Sequence, residues 1–175
     1  SSRNQICNWN SNSPKHGSTT PLTDPHPPSL QHLRNRRYRP IKQVPRTVTR
    51  YNKQTKRWSR IGDLCHERAN HQSISLKSGL YVIGGYNGQN WLKSIERLDE
   101  SKDIFYHVME LKEGRSNFGL IKCVEDNGFI VLGGRSYSEL DTCEYVSLKD
   151  RNCKNISSLL CPQSDISALE VADII

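Results

Sequence analysis

Short apolar runs alternate with clusters of Gly, Asn and Ser through residues 72–157. The densest runs are Leu80-Tyr81-Val82-Ile83 and Phe129-Ile130-Val131-Leu132. Each follows a turn glycine, Gly79 or Gly128, and each ends in a glycine pair, Gly84-Gly85 or Gly133-Gly134. Brief runs rich in β-branched and aromatic residues between turn formers predict strands, not helices. One set of strands is expected at Gln72–Leu76, Leu80–Gly84, Ser94–Leu98 and Phe105–Met109. A second is expected at Phe118–Val124, Phe129–Gly133, Thr142–Val146 and Cys153–Ser157. Ser167–Val171 reads as the opening strand of a further unit.

The two sets are copies of one another. The glycine pair recurs at a spacing of 49 residues, Arg68 and Arg115 lie 47 apart, and Glu96 and Glu144 lie 48 apart. Trp58, Phe105 and Cys153 form a third series, as do Val48, Ile95 and Cys143. Small changes of spacing are what loop insertions produce. One is visible before Gly128, where the turn Val124-Glu125-Asp126-Asn127-Gly128 is longer than its counterpart before Gly79. Four strands in roughly 50 residues is the arithmetic of a propeller blade. A glycine pair at the end of a buried strand suits a place where a side chain would crowd the next backbone.

These residues resemble the kelch repeats. The order of Arg68, the strand LYVIGG ending in Gly84-Gly85, Leu98-Asp99 and Phe105 fits the kelch pattern, with Phe105 where Trp is usual. Tyr51 to Trp58 resembles the closing half of a preceding repeat, and Cys153 departs further from the aromatic closer. The expected fold is an all-β partial kelch propeller over 47–175, with repeats at about 47–61, 62–109, 110–161 and 162–175, the first and last incomplete. Two nearly complete blades leave open flanks, and repeat arrays bury their cores only against neighbours. A fragment of a longer protein is therefore expected, in keeping with a start, Ser1-Ser2-Arg3-Asn4, that lacks an initiator Met.

Composition separates the body from what precedes it. Residues 1–47 hold eight Lys/Arg against one Asp, and seven of the eight prolines. The rest of the chain is electrically balanced, so the net charge of +7 belongs to the first quarter. Residues 1–46 are expected to be a disordered basic tail, too polar to offset their ordering entropy. Within it, Arg34-Asn35-Arg36-Arg37-Tyr38-Arg39 could grip phosphates or act as a localisation signal, but a solvated linker is the preferred reading. Nucleic-acid binding is accordingly the least favoured function. No apolar run approaches the roughly 20 residues of a membrane-crossing helix. The six cysteines show no C-x-x-C spacing, and reduced thiols in a cytoplasmic protein, with the nucleus as the alternative, are expected.

No catalytic motif is present, so no enzymatic activity and no cofactor are expected. Cys65, His66 and His71 flank Arg68, but read as solvent contacts of a loop and not as metal ligands. Function is expected on the loop face, where Tyr, Trp, Arg and Asn gather. Tyr86, Asn87, Asn90, Arg135 and Tyr137, with Asn70 and Asn117, are the candidate partner-binding residues, because the first five differ between units and packing does not dictate them. Trp58, Arg68, Gly84, Gly85, Phe105, Arg115, Gly133 and Gly134 are read as structural repeat positions. The two arginines are expected to tie blade to blade, and Trp58 and Tyr81 to lie in the core. The resemblance implies a protein-binding module that recognises a substrate peptide for a cullin–RING ubiquitin ligase adaptor. An actin-binding cytoskeletal scaffold is the alternative.

Overall fold

The structure, a computed structural model, describes the backbone of Gln5–Cys7 and residues 44–123 and 127–169. Every regular element among them is a strand. The first sheet joins β1 (Gln5–Cys7), β2 (Thr47–Asn52) and β3 (Arg57–Asp63). The second runs in simple order through β4 (Gln72–Leu76), β5 (Gly79–Ile83), β6 (Ser94–Asp99) and β7 (Ile104–Glu110). The third does the same with β8 (Gly119–Cys123), β9 (Gly128–Arg135), β10 (Glu139–Ser147) and β11 (Asn152–Ile156). All pairings are antiparallel meanders.

The repeat extends to fine detail. The β6–β7 ladder slips one residue between Ile95 and Glu96, and the β2–β3 ladder slips at Val48 and Thr49, the same place one repeat earlier. β1 pairs Ile6 with Arg50 and Cys7 with Thr49. In the second sheet Tyr81 faces Arg97 and Val82 faces Glu96, so β1 holds the position and register that β5 holds beside β6. Residues 44–46 of the expected tail are described as well, with Arg46 O accepting the Leu64 N–H (2.8 Å), and the remainder, including the basic run at 34–39, lies outside the described residues.

Side chains alternate across each strand and feed two separate cores. Val82, Leu98 and Phe105 of the second sheet meet Val48, Ile61 and Leu64 of the first. On the opposite face, Tyr81, Ile83, Ile95 and Leu111 meet Phe118, Phe129, Val131 and Val146 of the third sheet. The sheets therefore stack face to face like slices. The glycine pairs make this stacking possible. Gly84 and Gly133 have φ of 57° and 51°, and Gly85 and Gly134 both have 100°, conformations that glycine adopts at little cost. A Cβ on Gly84 would lie 2.7 Å from the carbonyl oxygen of Arg115 in the next unit.

Several expectations need correction. Trp58 is 56% exposed and rests on Tyr51, with ring centroids 5.2 Å apart. Its repeat partner Phe105 is 6% exposed because the first sheet covers it. No sheet among the described residues covers the first sheet in the same way. The second glycine pair does not end its strand, since β9 runs on to Arg135. Phe118 precedes β8 and is fully buried, while Val124 lies outside the described residues. Residues 166–169 form no strand, and 170–171 lie outside the described residues.

Candidate functional site

A buried ion pair organises each unit. Arg68 donates through Nη1 to the carbonyls of Gly84 (2.8 Å) and Ser94 (3.2 Å), and through Nη2 to Ser94 Oγ (2.9 Å) and to Glu96. Both charged side chains are fully buried. Glu96 also accepts the backbone N–H of Cys65 (2.8 Å) and His66 (3.2 Å), and its Oε1 lies 3.1 Å from His66 Nδ1. The third sheet repeats this: Arg115 donates to Gly133 O (2.7 Å), Thr142 O (2.8 Å), Thr142 Oγ1 (3.1 Å) and Glu144 Oε1 (2.6 Å). Glu144 accepts the N–H of Lys112 (2.8 Å) and Glu113 (3.2 Å). A buried charge is tolerable only when paired and hydrogen-bonded, and here each carboxylate is saturated by its arginine and by two amides of the incoming connector.

The arginine side chains thus bind within their own unit and not from blade to blade. The stitching between units is done by backbone and by other side chains, among them Gln72 Nε2, which donates to Phe118 O (3.2 Å), and Lys122 Nζ, which donates to Ser75 O (3.0 Å). Gly85 N–H donates to Arg115 O (2.8 Å), Asn117 N–H to Asn70 O (3.0 Å), and Gly134 N–H to Gln163 O (2.8 Å). Gln163 stands 48 residues after Arg115, in the arginine place of a further unit. Asn70, Asn117 and Asp165 form a parallel series, all with φ between 53° and 56°, and the Asn117 amide donates to Asp165.

Cys65 and His66 are exposed, as a loop entering the first strand should be, but both also bond inward, and His71 is only partly exposed. Cys65 Sγ donates to Phe105 O at 3.2 Å. His71 is largely covered, its Nδ1 has no partner, and burial with the adjacent Arg68 charge holds its pKa down to about 4. Cys153 Sγ donates to Glu144 Oε2 at 2.9 Å, and burial followed by that carboxylate pushes its pKa up to about 12.

The loops after the glycine pairs meet above these cores. Isolated bridges join Ala69 to Tyr86, Tyr86 to Trp91 and Ser116 to Arg135, which fixes the loops to the connectors. Three aromatic rings form a continuous ledge across two units: Tyr86 and Trp91 are 5.1 Å apart, and Trp91 and Tyr137 are 4.9 Å apart. Tyr137, at the end of the ledge, is 90% exposed. Arg135 is exposed beside it, its guanidinium making no ion pair among the described residues. Asn90 is exposed on the same loop.

Asn87 has a different role. Its Oδ1 accepts the N–H of Gln89 (2.9 Å) and Asn90 (2.7 Å), so the side chain closes its own turn. Trp91 joins the ledge although sequence reasoning did not choose it; its place in the loop after Gly85 was the available signal. Glu96 and Glu144 were visible only as a repeated pair 48 apart, with no role attached.

Residues 67–112, which run from the connector through β7, match the Kelch motif. The chain is a kelch-repeat protein. It is 43% identical over 54 residues to human Kelch-like protein 24, covering 31% of this chain and 9% of that protein. It is 24% identical over 97 residues to mouse Kelch-like protein 35, which covers 55% and 17%. Kelch repeat protein C2 of vaccinia virus (strain Western Reserve) is 25% identical over 128 residues, covering 73% and 24%. The chain thus spans less than a quarter of the length of each of these relatives. Kelch repeats typically build domains that bind proteins, and this chain carries a kelch interaction module.

Proposed function

We propose that the kelch loop face captures a peptide segment of a protein substrate for a cullin–RING ubiquitin ligase adaptor. The observation that carries the reading is the ledge of Tyr86, Trp91 and Tyr137, which spans two blades and ends in a 90% exposed ring beside the unpaired Arg135. Aromatic side chains and arginine supply much of the energy at protein interfaces, because they bring large contact area and directed hydrogen bonds at low entropic cost. The ledge offers ring faces to an apolar or extended segment, while Arg135 offers a fork to a carboxylate or a backbone carbonyl. The base of bridges and buried ion pairs holds these groups in place before a partner arrives, which lowers the cost of binding.

Tyr137→Ala and Arg135→Ala should each abolish capture of the partner isolated with the unmodified chain, with unchanged far-UV circular dichroism. Retained capture would remove the ledge from the site. The ligase assignment is tested separately, by the lifetime of the captured partner in cells when cullin activation is blocked. Lengthening is expected. An unchanged lifetime, together with co-sedimentation with actin filaments, would replace it with the scaffold reading.

A further inference from the structure

Asn-Gly occurs twice in the chain, at Asn87-Gly88 and Asn127-Gly128. An asparagine side chain can lose its amide nitrogen when the next backbone nitrogen attacks its Cγ, and glycine leaves that nitrogen unshielded. Geometry then decides which of the two reacts. Asn127 is held away from its own backbone. Its Nδ2 donates to Ser78 Oγ (2.9 Å) and its Oδ1 accepts from the same hydroxyl (3.1 Å), which ties the side chain to the hairpin of the preceding unit. Gly128 is buried and opens β9, where it pairs with Cys123 on one side and Ser147 on the other.

Asn87 is placed the opposite way. It lies in the loop between β5 and β6, in a turn closed by its own side chain, which therefore folds back over the Asn87–Gly88 peptide. Its Oδ1 accepts the N–H of Gln89 (2.9 Å) and Asn90 (2.7 Å), so two donors already point at the oxygen on which charge would develop. Gly88 has φ of 97°, and a Cβ built on it would meet only Val44 Cγ2, at 3.9 Å, so this side of the loop is open. Its N–H donates no hydrogen bond among the described residues, whereas its carbonyl accepts from the Tyr86 hydroxyl at 2.9 Å. Both Asn87 and Gly88 are half-buried, within reach of solvent.

We propose that Asn87 is a self-modifying site, converted in the folded protein to aspartate and isoaspartate while Asn127 keeps its amide. Hydroxide takes the Gly88 N–H proton, and the nitrogen attacks Asn87 Cγ. A C–N bond forms, and the carbonyl electron pair moves to Oδ1, which faces the Gln89 and Asn90 amides. The intermediate collapses and the Cγ–Nδ2 bond breaks. The nitrogen leaves as ammonia with a proton from water, which regenerates hydroxide. Water then opens the five-membered imide. Addition at Cγ gives aspartate in the original backbone. Addition at the main-chain carbonyl gives isoaspartate, with the chain rerouted through the side chain and one methylene longer. Either product puts a carboxylate into the turn that Asn87 closes. Isoaspartate also displaces Gly88, and with it the partner of the Tyr86 hydroxyl at one end of the aromatic ledge.

Ageing the full chain at mildly alkaline pH, followed by peptide mass spectrometry, tests this. A parallel sample in concentrated urea supplies the reference, because without the fold the two Asn-Gly sites should convert at similar rates. Incubation runs until both have converted in urea. In the folded chain the expected result is conversion of Asn87 to the acid with Asn127 still amidated, at a rate that rises in proportion to hydroxide. Enzymatic methylation of isoaspartyl carboxylates should label position 87 and not position 127. An Asn87 that keeps its amide in the folded chain, or an Asn127 that converts as fast as Asn87 there, would each overturn the proposal.

Discussion

The two complete blades solve one electrostatic problem with the same centre and different surroundings. Arg68–Glu96 and Arg115–Glu144 are both buried, and both carboxylates accept two connector amides. Around them the residues change. His66 in one blade corresponds to Glu113 in the other, which approaches Arg115 at 3.5 Å, Ser94 corresponds to Thr142, and Phe105 corresponds to Cys153. The difference separates what the fold requires from what it tolerates. A charge buried in a dry sheet must be paired and hydrogen-bonded, even though the Nε of Arg68 and of Arg115 stays without a partner, whereas a group at the rim is answered by water when its neighbour changes.

The largest effect should come from breaking the centre. Arg68→Met strands a buried Glu96, and Arg115→Met strands Glu144. Each should lose about 3–5 kcal/mol in urea unfolding. Removing the carboxylate as well, in Arg68→Met/Glu96→Leu, should recover only part of this, because the Cys65 and His66 amides then lose their acceptor. A loss below about 1 kcal/mol for either single change would mean that the pair is solvated and that the two blades share only a shape.

The glycines should treat the blades alike. Gly85→Ala and Gly134→Ala both force a side chain onto φ of 100°, with the new Cβ 2.8 Å from Ala69 O in one case and 2.7 Å from Ser116 O in the other. A cost on the order of 1–3 kcal/mol is expected at each from backbone strain, before the clash is counted. If one glycine tolerates alanine and the other does not, the blades differ in backbone and not only at the rim.

A titration sharpens the comparison at His71, whose place in the next blade is taken by Phe118. The folded pKa of about 4 lies below the ordinary 6.5, so the unfolded chain binds the extra proton first as pH falls. Stability from neutral His71 is therefore complete above about pH 6.5 and is lost as pH falls toward 4, by up to about 3 kcal/mol. His71→Phe should flatten the melting temperature across that window. An equally steep acid decline in the variant would assign it to other groups.

Much of this was legible from spacing. The strands, the sheet order and the glycine pairs follow from a repeat whose every copy obeys period-two alternation. What spacing could not give was which copy of a position would be covered. Trp58 and Phe105 are equivalent in sequence, yet burial belongs to the neighbouring sheet and not to the residue. The polar centre was half legible for a similar reason. Arg68 and Glu96 are far apart in the chain and meet only when β6 lies beside β5, so the period marked both without pairing them. The ledge was least legible: Tyr86 and Trp91 sit in one loop, but their contact with Tyr137 exists only because the two blades stack.

The smallest effect distinguishes the blades at their closers, through thiol chemistry. Only the thiolate reacts with maleimide, so a raised pKa slows labelling. Cys153 replaces the aromatic closer Phe105, and its thiol is covered and bonded to Glu144, with a pKa of about 12. Cys65 is pushed up as well, by burial and then by the Glu96 charge. Cys161 is exposed on the connector beyond β11. Among these three, mass spectrometry of partly labelled native protein should therefore find Cys161 modified first, Cys65 later and Cys153 last. Glu144→Gln keeps the shape but removes the negative charge, and should speed Cys153 selectively. Early labelling of Cys153 in the unmodified chain would mean that β11 frays, and that cysteine is a weaker closer than Phe105 and not an equivalent one.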